Sequence, residues 1–343
     1  MWRFIASRIG SALLVLLVLT LVVFIFTRVI PSDPAVVYAG PKATPDMLER
    51  IRSELGFDRP LPIQYFDYLK GLVTGDWGNS LSTRRPVLME FATRLPATLE
   101  LLFAAIAFGL VAGVVLGVLA VRRPGKLLDG CIRFLAIGGI SMPAFWLGLL
   151  LQVLFVGGLG ILPATGQFSK EVDYVAPIDS VTGFALFDAF ITGNWVAWSD
   201  GLAHLILPML TLAAYPMGLI ASMTRASMLE VQSQDYIFTA NAYGLRDRLI
   251  KWRLALKNAI PPTLTVTGLS AAYALTGTFF VEVVFNWPGI GQFAANAMLA
   301  VDYPSILAIT ILGAAAYLIA NLIVDILQAR IDPRIRETQG AGS

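Results

Sequence analysis

The chain has 343 residues, of which 57% are hydrophobic and only 14% charged. A soluble domain carries about 25% charged residues, so this composition and a mean hydropathy of +0.72 exclude a disordered chain and an ordinary soluble enzyme. The net charge of +2 says little about partners; the placement of the charges says more.

Apolar residues fall in blocks bounded by charges. Nineteen uncharged residues separate Arg8 from Arg28, 21 separate Glu100 from Arg122, and 36 separate Arg133 from Lys170. Blocks of 24, 24 and 22 lie between Asp200 and Arg225, Lys257 and Glu282, and Asp302 and Asp325. A bilayer core of about 30 Å takes roughly 20 apolar helical residues, so each block is long enough to cross. The expected fold is an all-α polytopic membrane protein with six spans, near residues 9–30, 97–121, 127–157, 202–224, 262–285 and 304–327. The first has an apolar core too long for a signal peptide and no A-x-A-like site behind it, so it reads as an uncleaved span. A further uncharged stretch, Glu282 to Asp302, contains Trp287-Pro288-Gly289-Ile290-Gly291. Such backbone cannot face lipid without internal hydrogen bonds, so it reads as a re-entrant or surface loop.

Lys and Arg gather at alternate loops. Arg3 and Arg8, then Arg122, Arg123, Lys126 and Arg133, then the basic residues from Arg225 to Lys257, and finally Arg330, Arg334 and Arg336 share one side. The opposite short loops hold Lys170 alone. The positive-inside rule then makes both termini cytoplasmic. This divides the chain into an N-terminal transmembrane helix (1–30), an extracytoplasmic cap (31–96) and a core of five spans (97–343). The core carries an outside insertion (158–201) and a cytoplasmic loop (225–261).

In the cap, Thr44 and Asp46 start one helix, residues 63–72 form another, and Gly75-Asp76-Trp77-Gly78 turns the chain. Phe57, Tyr65, Phe66 and Trp77 give the cap something to bury. Cys131, the one cysteine, excludes an internal disulfide and reads as a small buried residue. Trp195 and Trp198 read as headgroup anchors. In the cytoplasmic loop Gly244 is a break. Behind it Leu245, Leu249, Trp252 and Leu256 mark one helical stripe, either lying on anionic lipid or docking a partner. Glu230 and Asp235 ahead of the break weigh against lipid.

Chemical motifs are few. The sequence holds no phosphate loop, no zinc-protease helix, no nucleophile elbow and no Cys-x-x-Cys, and its only histidine is His204. A catalytic role is therefore unsupported, as is nucleic-acid binding. The acids at span ends are Glu100, Asp325 and Glu282. Glu282 is the deepest and precedes the Pro-Gly-x-Gly loop, which leaves two readings: a group facing a pathway, or a hydrogen-bonding anchor for loop backbone.

The 225–261 loop reads Asp235-Tyr236-Ile237-Phe238-Thr239-Ala240-Asn241-Ala242-Tyr243-Gly244-Leu245, followed by Ala255-Leu256-Lys257-Asn258-Ala259. It resembles the cytoplasmic loop of ABC-importer permeases of the peptide/nickel (dipeptide/oligopeptide) family. The Asp-Tyr-x-x-Thr-Ala-x-Ala-x-Gly-Leu pattern is kept. Phe238 stands where an Arg is common and Tyr243 where a Lys is common. Pro31-Ser32-Asp33-Pro34, Gly75–Ser80, Pro96–Glu100, Ser141-Met142-Pro143, Met223-Thr224-Arg225, Phe285–Gly291 and Asp332-Pro333-Arg334 agree with the same family along nearly the whole chain. The insertion near 175–201 looks like that of a dipeptide-permease B subunit.

The resemblance implies a type I ABC-importer permease fold in a bacterial cytoplasmic (inner) membrane and a subunit that is not itself an enzyme. It implies import of dipeptides or short peptides, with a secondary transporter, or a permease for nickel chelates, glutathione-like peptides or haem, as alternatives. Implied partners are a related second permease, two ATPase subunits that bind ATP and Mg, and an extracytoplasmic solute-binding protein. The chain itself would hold no cofactor or metal. Asp235, Tyr236, Phe238, Thr239, Ala240, Gly244 and Leu245 would form the ATPase-coupling element. Glu282, Trp287, Pro288, Gly289 and Gly291 would form an outer gate or face the pathway. Gly109, Gly113 and Gly117 in span two would let helices approach closely.

Overall fold

A computed structural model describes residues 2–28, 34–39, 43–54 and 56–331. The Pro31–Asp33 stretch and the Asp332–Arg336 tail named above lie outside the described residues, as does the side chain of Asp325. Among the described residues there is no β-strand, only an isolated bridge between Asn79 and Pro86. The helices are α1 (Trp2–Arg28), α2 (Pro34–Ala39), α3 (Pro45–Glu54), α4 (Leu61–Thr74), α5 (Val87–Ala120), α6 (Leu127–Ser141), α7 (Ala144–Gln152), α8 (Lys170–Val175), α9 (Ala185–Ile191), α10 (Trp195–Gln232), α11 (Asp235–Ala242), α12 (Asp247–Leu249), α13 (Leu256–Phe285), α14 (Ile290–Leu299) and α15 (Tyr303–Ile331). Two π-helical segments, Val153–Gly158 and Ile250–Ala255, follow α7 and α12.

Among the described residues five helices are long and apolar enough to cross a membrane, and the bent α6–α7 pair makes a sixth if it counts as one crossing. That pair corrects the expected unbroken third span. The chain turns by 115° at Met142-Pro143, because Pro143 has no N–H for the Gly139 carbonyl and disfavours helix at the residue before it. Other spans are longer than their apolar blocks. Helix α5 starts ten residues before the expected Ala97, with Glu90 and Arg94 paired across one turn at 3.2 Å. Helix α10 has 38 residues, about 57 Å at 1.5 Å per residue, well beyond a bilayer core. The expected loop after Glu282 contains the ten-residue α14.

The chain divides into two compact units. One comprises residues 1–94 and 293–322. Within it Thr20 Oγ1 lies 3.0 Å from Tyr65 Oη, and the Phe24 and Tyr65 rings meet edge to face at 5.2 Å. Val87, Phe293 and Ala308 form a small core backed by Trp77. Phe66 is 69% exposed, against expectation. Tyr65, Tyr68, Leu69 and Leu72 share the inward face of α4, and position 66 falls off it. Asp302 is fully buried and accepts from Ser80 Oγ, Ser82 N and Ser82 Oγ. Burial pushes its carboxyl up, but these hydrogen bonds outweigh burial and hold it below the usual carboxylate value.

The other unit comprises residues 95–292 and 323–343. Its main core joins α5, α10 and α13 through Leu101, Ala105, Leu207, Ala213, Val281 and Phe285. Gly113 and Gly117 allow α5 to lie against α10. A Cβ on Gly113 would sit 2.7 Å from Ile220, and one on Gly117 2.5 Å from Thr224, whereas Gly109 makes only ordinary contacts. Cys131 is exposed, contrary to expectation, because Asp129, Ile132 and Ala136 take the buried stripe of α6.

Candidate functional site: a helix-turn lever and a carboxylate-held turn

Helix α11 sits in a second core made by this chain alone. Ile237 and Ala240 pack with Val118, Val121, Met228, Val231, Ile250, Ala255 and Ala259. Four residues or fewer separate the inward positions, so one stripe of α11 is committed to its own subunit. The other faces are bare: Phe238 is 77% and Tyr243 83% exposed. Asp235 opens the helix, where an acid favours the dipole. Thr239 Oγ1 donates to the Asp235 carbonyl, and Asn258 Nδ2 donates to Tyr236 Oη at 2.7 Å, tying α11 to the base of α13. Gly244 ends the element with φ +71°, a backbone state that L side chains rarely adopt. Leu245 N closes onto the Ala240 carbonyl at 3.2 Å. Of the expected coupling residues, then, Ala240 faces inward and Phe238 outward.

Behind the turn, Leu245, Leu249, Trp252 and Leu256 do not share one regular helical face, because Leu245 precedes α12 and a π-helical segment intervenes. The first three are exposed. Ile250–Ala255 is π-helical, so its turns are wider, and Ile250, Ala255 and Ala259 take the buried face at spacings of five and four. A period of 3.6 counts the wrong residues there.

A buried ion pair braces the same end of this unit. Arg225 donates to Asp129 through Nε at 2.7 Å and Nη2 at 2.8 Å, and Gly125 N also donates to Asp129. Sequence reasoning counted Arg225 for topology and missed Asp129. The only signal was an acid among the basic residues between Arg122 and Arg133.

At the far end of α13 the chain turns at Asn286, φ +48°. Glu282 is fully buried. Its Oε1 accepts from Thr98 Oγ1 at 2.7 Å, and its Oε2 accepts from Gly291 N at 2.6 Å and Gln292 N at 3.2 Å. Thr98 in turn accepts from Ile290 N, and Trp287, also fully buried, donates Nε1 to the Ala97 carbonyl at 2.9 Å. Glycine at 289 and 291 follows from this packing. A Cβ on Gly289 would sit 2.5 Å from Glu282 Oε1, and one on Gly291 2.6 Å from Phe279 Cα. Pro288 fills the turn between Trp287 and Gly289. The expected outer-gate residues are thus one connected cluster, with Thr98 an additional member from the Pro96–Glu100 motif.

Glu100, one turn along α5, performs a second anchoring task. It accepts from Gln167 Nε2 at 2.7 Å and from Leu186 N and Phe187 N at the start of α9. Asp188 accepts from Val181 N, Thr182 N, Thr182 Oγ1 and Gly183 N. Burial raises its carboxyl, yet these donors prevail and hold it below the usual value. His204 Nδ1 lies 2.9 Å from the Asp200 carbonyl. Among the described residues no cluster of His, Cys, Asp or Glu could hold a metal.

Long and broken apolar helices, with a short helix and glycine turn at one end and a carboxylate-held turn at the other, define a polytopic membrane protein. Two family models cover the chain: binding-protein-dependent transport system inner membrane component over residues 101–337, and the N-terminal component of such systems over residues 1–102. The chain belongs to this family, the inner membrane permease components of ABC importers. It is 42% identical over 334 residues to a probable D,D-dipeptide transport system permease protein of Escherichia coli (strain K12), covering 97% of each chain. It is 40% identical over 337 residues to a di/tripeptide transport system permease protein of Pseudomonas aeruginosa (strain UCBPP-PA14), covering 98% of this chain and 99% of the relative. A glutathione transport system permease protein of Escherichia coli O1:K1 / APEC is 34% identical over 336 residues, 98% of this chain and 99% of the relative. Among solved structures, the inward-facing MetNI methionine ABC transporter matches with a TM-score of 0.52 at 16% identity, over 72% of this chain and 98% of that one. That likeness supports the type I permease fold.

Proposed function

We propose that the chain forms half of the pathway of an ATP-driven importer for dipeptides or short peptides. The observation that carries this is identity of about 40% over nearly the whole length to permeases named for dipeptide and di/tripeptide transport. A related permease completes the pathway, two ATPase subunits bind ATP and Mg, and an extracytoplasmic binding protein delivers the peptide. Both termini are cytoplasmic, which puts the 225–261 loop on the ATPase side and the Glu282 turn outside. The domain division is a transmembrane helix (1–30), an outer cap (31–96) and a core (97–343).

In this reading α11 is the coupling lever. Its inward stripe fixes it to α10 and α13, while Phe238 and Tyr243 present bare aromatic surface to a cleft of the ATPase. The Gly244 turn makes the lever short and rigid, so a push on α11 reaches the spans as rocking rather than bending. Glu282 is a structural anchor of an outer gate: one oxygen is engaged by Thr98 of α5 and the other by backbone N–H groups of Gly291 and Gln292, which supports anchoring over substrate contact. A glutathione-like peptide is a second reading, favoured by the glutathione permease relative.

The test is reconstitution. Co-expressed with its neighbouring transport components, the chain should co-purify with ATPase subunits and import radiolabelled dipeptide in an ATP- and binding-protein-dependent way. Purification without any ATPase, or import driven by an ion gradient alone, would overturn the proposal.

A further inference from the structure

The break in the third span has a physical cost that points to a site. Backbone that leaves the helix at membrane depth survives only where protein buries it or where it lines a watery cavity. Here the break lies midway along residues 127–158, and its residues Gly139, Met142 and Pro143 line a cavity of about 310 Å³. Helices α10 and α13 close it with Thr211, Tyr215 and Tyr273, each near the middle of its own helix. That volume falls at the lower edge of the ~300–1,000 Å³ typical of small-molecule sites.

The cavity's chemistry is lopsided. Pro143 supplies no N–H, so the Gly139 carbonyl loses its helical donor. Thr211 Oγ1 donates to the Leu207 carbonyl and Thr276 Oγ1 to the Tyr273 carbonyl, at 2.8 and 2.7 Å. Both threonine protons are therefore spent inside their own helices; Thr211 is buried, while the exposed Thr276 keeps lone-pair capacity at the lining. Beside them the Tyr215 and Tyr273 rings lie with centroids 4.4 Å apart, and Tyr273 remains 56% exposed. A largely apolar wall with a few oxygens and the exposed face of Tyr273 suits a small ligand that brings an apolar side chain, a few N–H donors and a cationic amine.

We infer that the break at Met142-Pro143, with Tyr215 and Tyr273, forms a mid-span subsite that holds a short peptide in transit. The peptide's ammonium and amide N–H groups meet the Gly139 carbonyl and the Thr276 oxygen, and its side chain lies on the Tyr273 ring. This rests on the peptide-importer reading above and adds the place and polarity of contact.

The experiment uses the assembled transporter in proteoliposomes, with Cys131→Ser removing this chain's only thiol. Thr276→Cys should react with a charged, water-soluble thiol reagent about tenfold faster than Val111→Cys, which occupies an exposed apolar position of α5. Dialanine with binding protein and ATP should slow that reaction at least threefold. In parallel, Tyr273→Ala should lower dipeptide import about fivefold while ATPase stimulation by loaded binding protein persists, and Tyr273→Phe should restore most import. Labelling of Thr276→Cys no faster than Val111→Cys, or indifferent to dialanine, overturns the subsite, as does full import by Tyr273→Ala. Absence of dipeptide import by the unaltered complex would instead overturn the peptide reading itself, so the two failures are distinguishable.

Discussion

Replacing Glu282 separates an anchor from a charge site. Glu282→Ala leaves the buried N–H groups of Gly291 and Gln292 and the Thr98 hydroxyl without their acceptor. A stranded buried donor costs about 1–3 kcal/mol, so the two backbone groups alone cost roughly 2–6 kcal/mol. Glu282→Gln can point its remaining oxygen at both N–H groups and its amide at Thr98 Oγ1, which has lone-pair capacity to accept. What it loses is charge assistance, which roughly doubles a hydrogen bond's strength, a cost of about 1–3 kcal/mol. The expected order of both dipeptide import and thermal stability of the purified complex is therefore Glu, then Gln, then Ala. Gly289→Ala should fall with the weaker variants, because its methyl group would occupy the carboxylate's place. Import abolished equally by Gln and Ala, with unfolding temperatures unchanged, would refute anchoring and favour a charge that binds substrate. Unimpaired import by Glu282→Ala would refute both roles.

Gly244→Val should insert normally yet lose most coupled transport, since a β-branched residue resists φ +71°. Gly244→Asn, which tolerates that region, should keep much more, and ATPase stimulation measured beside uptake checks both. Asp129→Asn weakens a bidentate pair whose carboxylate is buried and whose Arg225 is 23% exposed, and should destabilise the complex by about 1–3 kcal/mol, read as a lower midpoint in thermal unfolding. Asp188 has a depressed carboxyl. Its contribution is complete above about pH 3.9 and drains as pH falls through the lower folded value; Asp188→Asn should flatten acid unfolding in that range. Introduced cysteines at Asn79 and Ser180 should label from outside intact cells, and one at Ser233 should not.

The spans were legible because charge is scarce and each apolar block is about as long as a bilayer core is thick, or longer. Their ends were not, since charges bound an apolar window rather than a helix: Glu90 and Arg94 pair along α5 and let it begin early. Proline was equally ambiguous. Pro96, Pro208, Pro216, Pro261 and Pro262 all lie inside helices, whereas Pro143 breaks one. Tertiary packing decides which carbonyls can be spared, and local sequence does not contain it. The glycine turn at 244 was visible as a residue type whose backbone freedom is needed there. Glu282 was recognised as deep, but its partnership with Thr98 spans 184 positions, and that of Asp129 with Arg225 spans 96. No local pattern carries such distances.

The wide turn at Ile250–Ala255 bears on how this sequence tolerates changes of length. Its buried positions 250, 255 and 259 would become i, i+4 and i+8 if one intervening residue between 250 and 255 were deleted, and those still share one face of an ordinary helix. The same deletion inside α13 would swing every residue on one side of it by about 100° and misplace the core against α10. This short stretch can therefore lose a single residue between α11 and α13 while both keep their bearings.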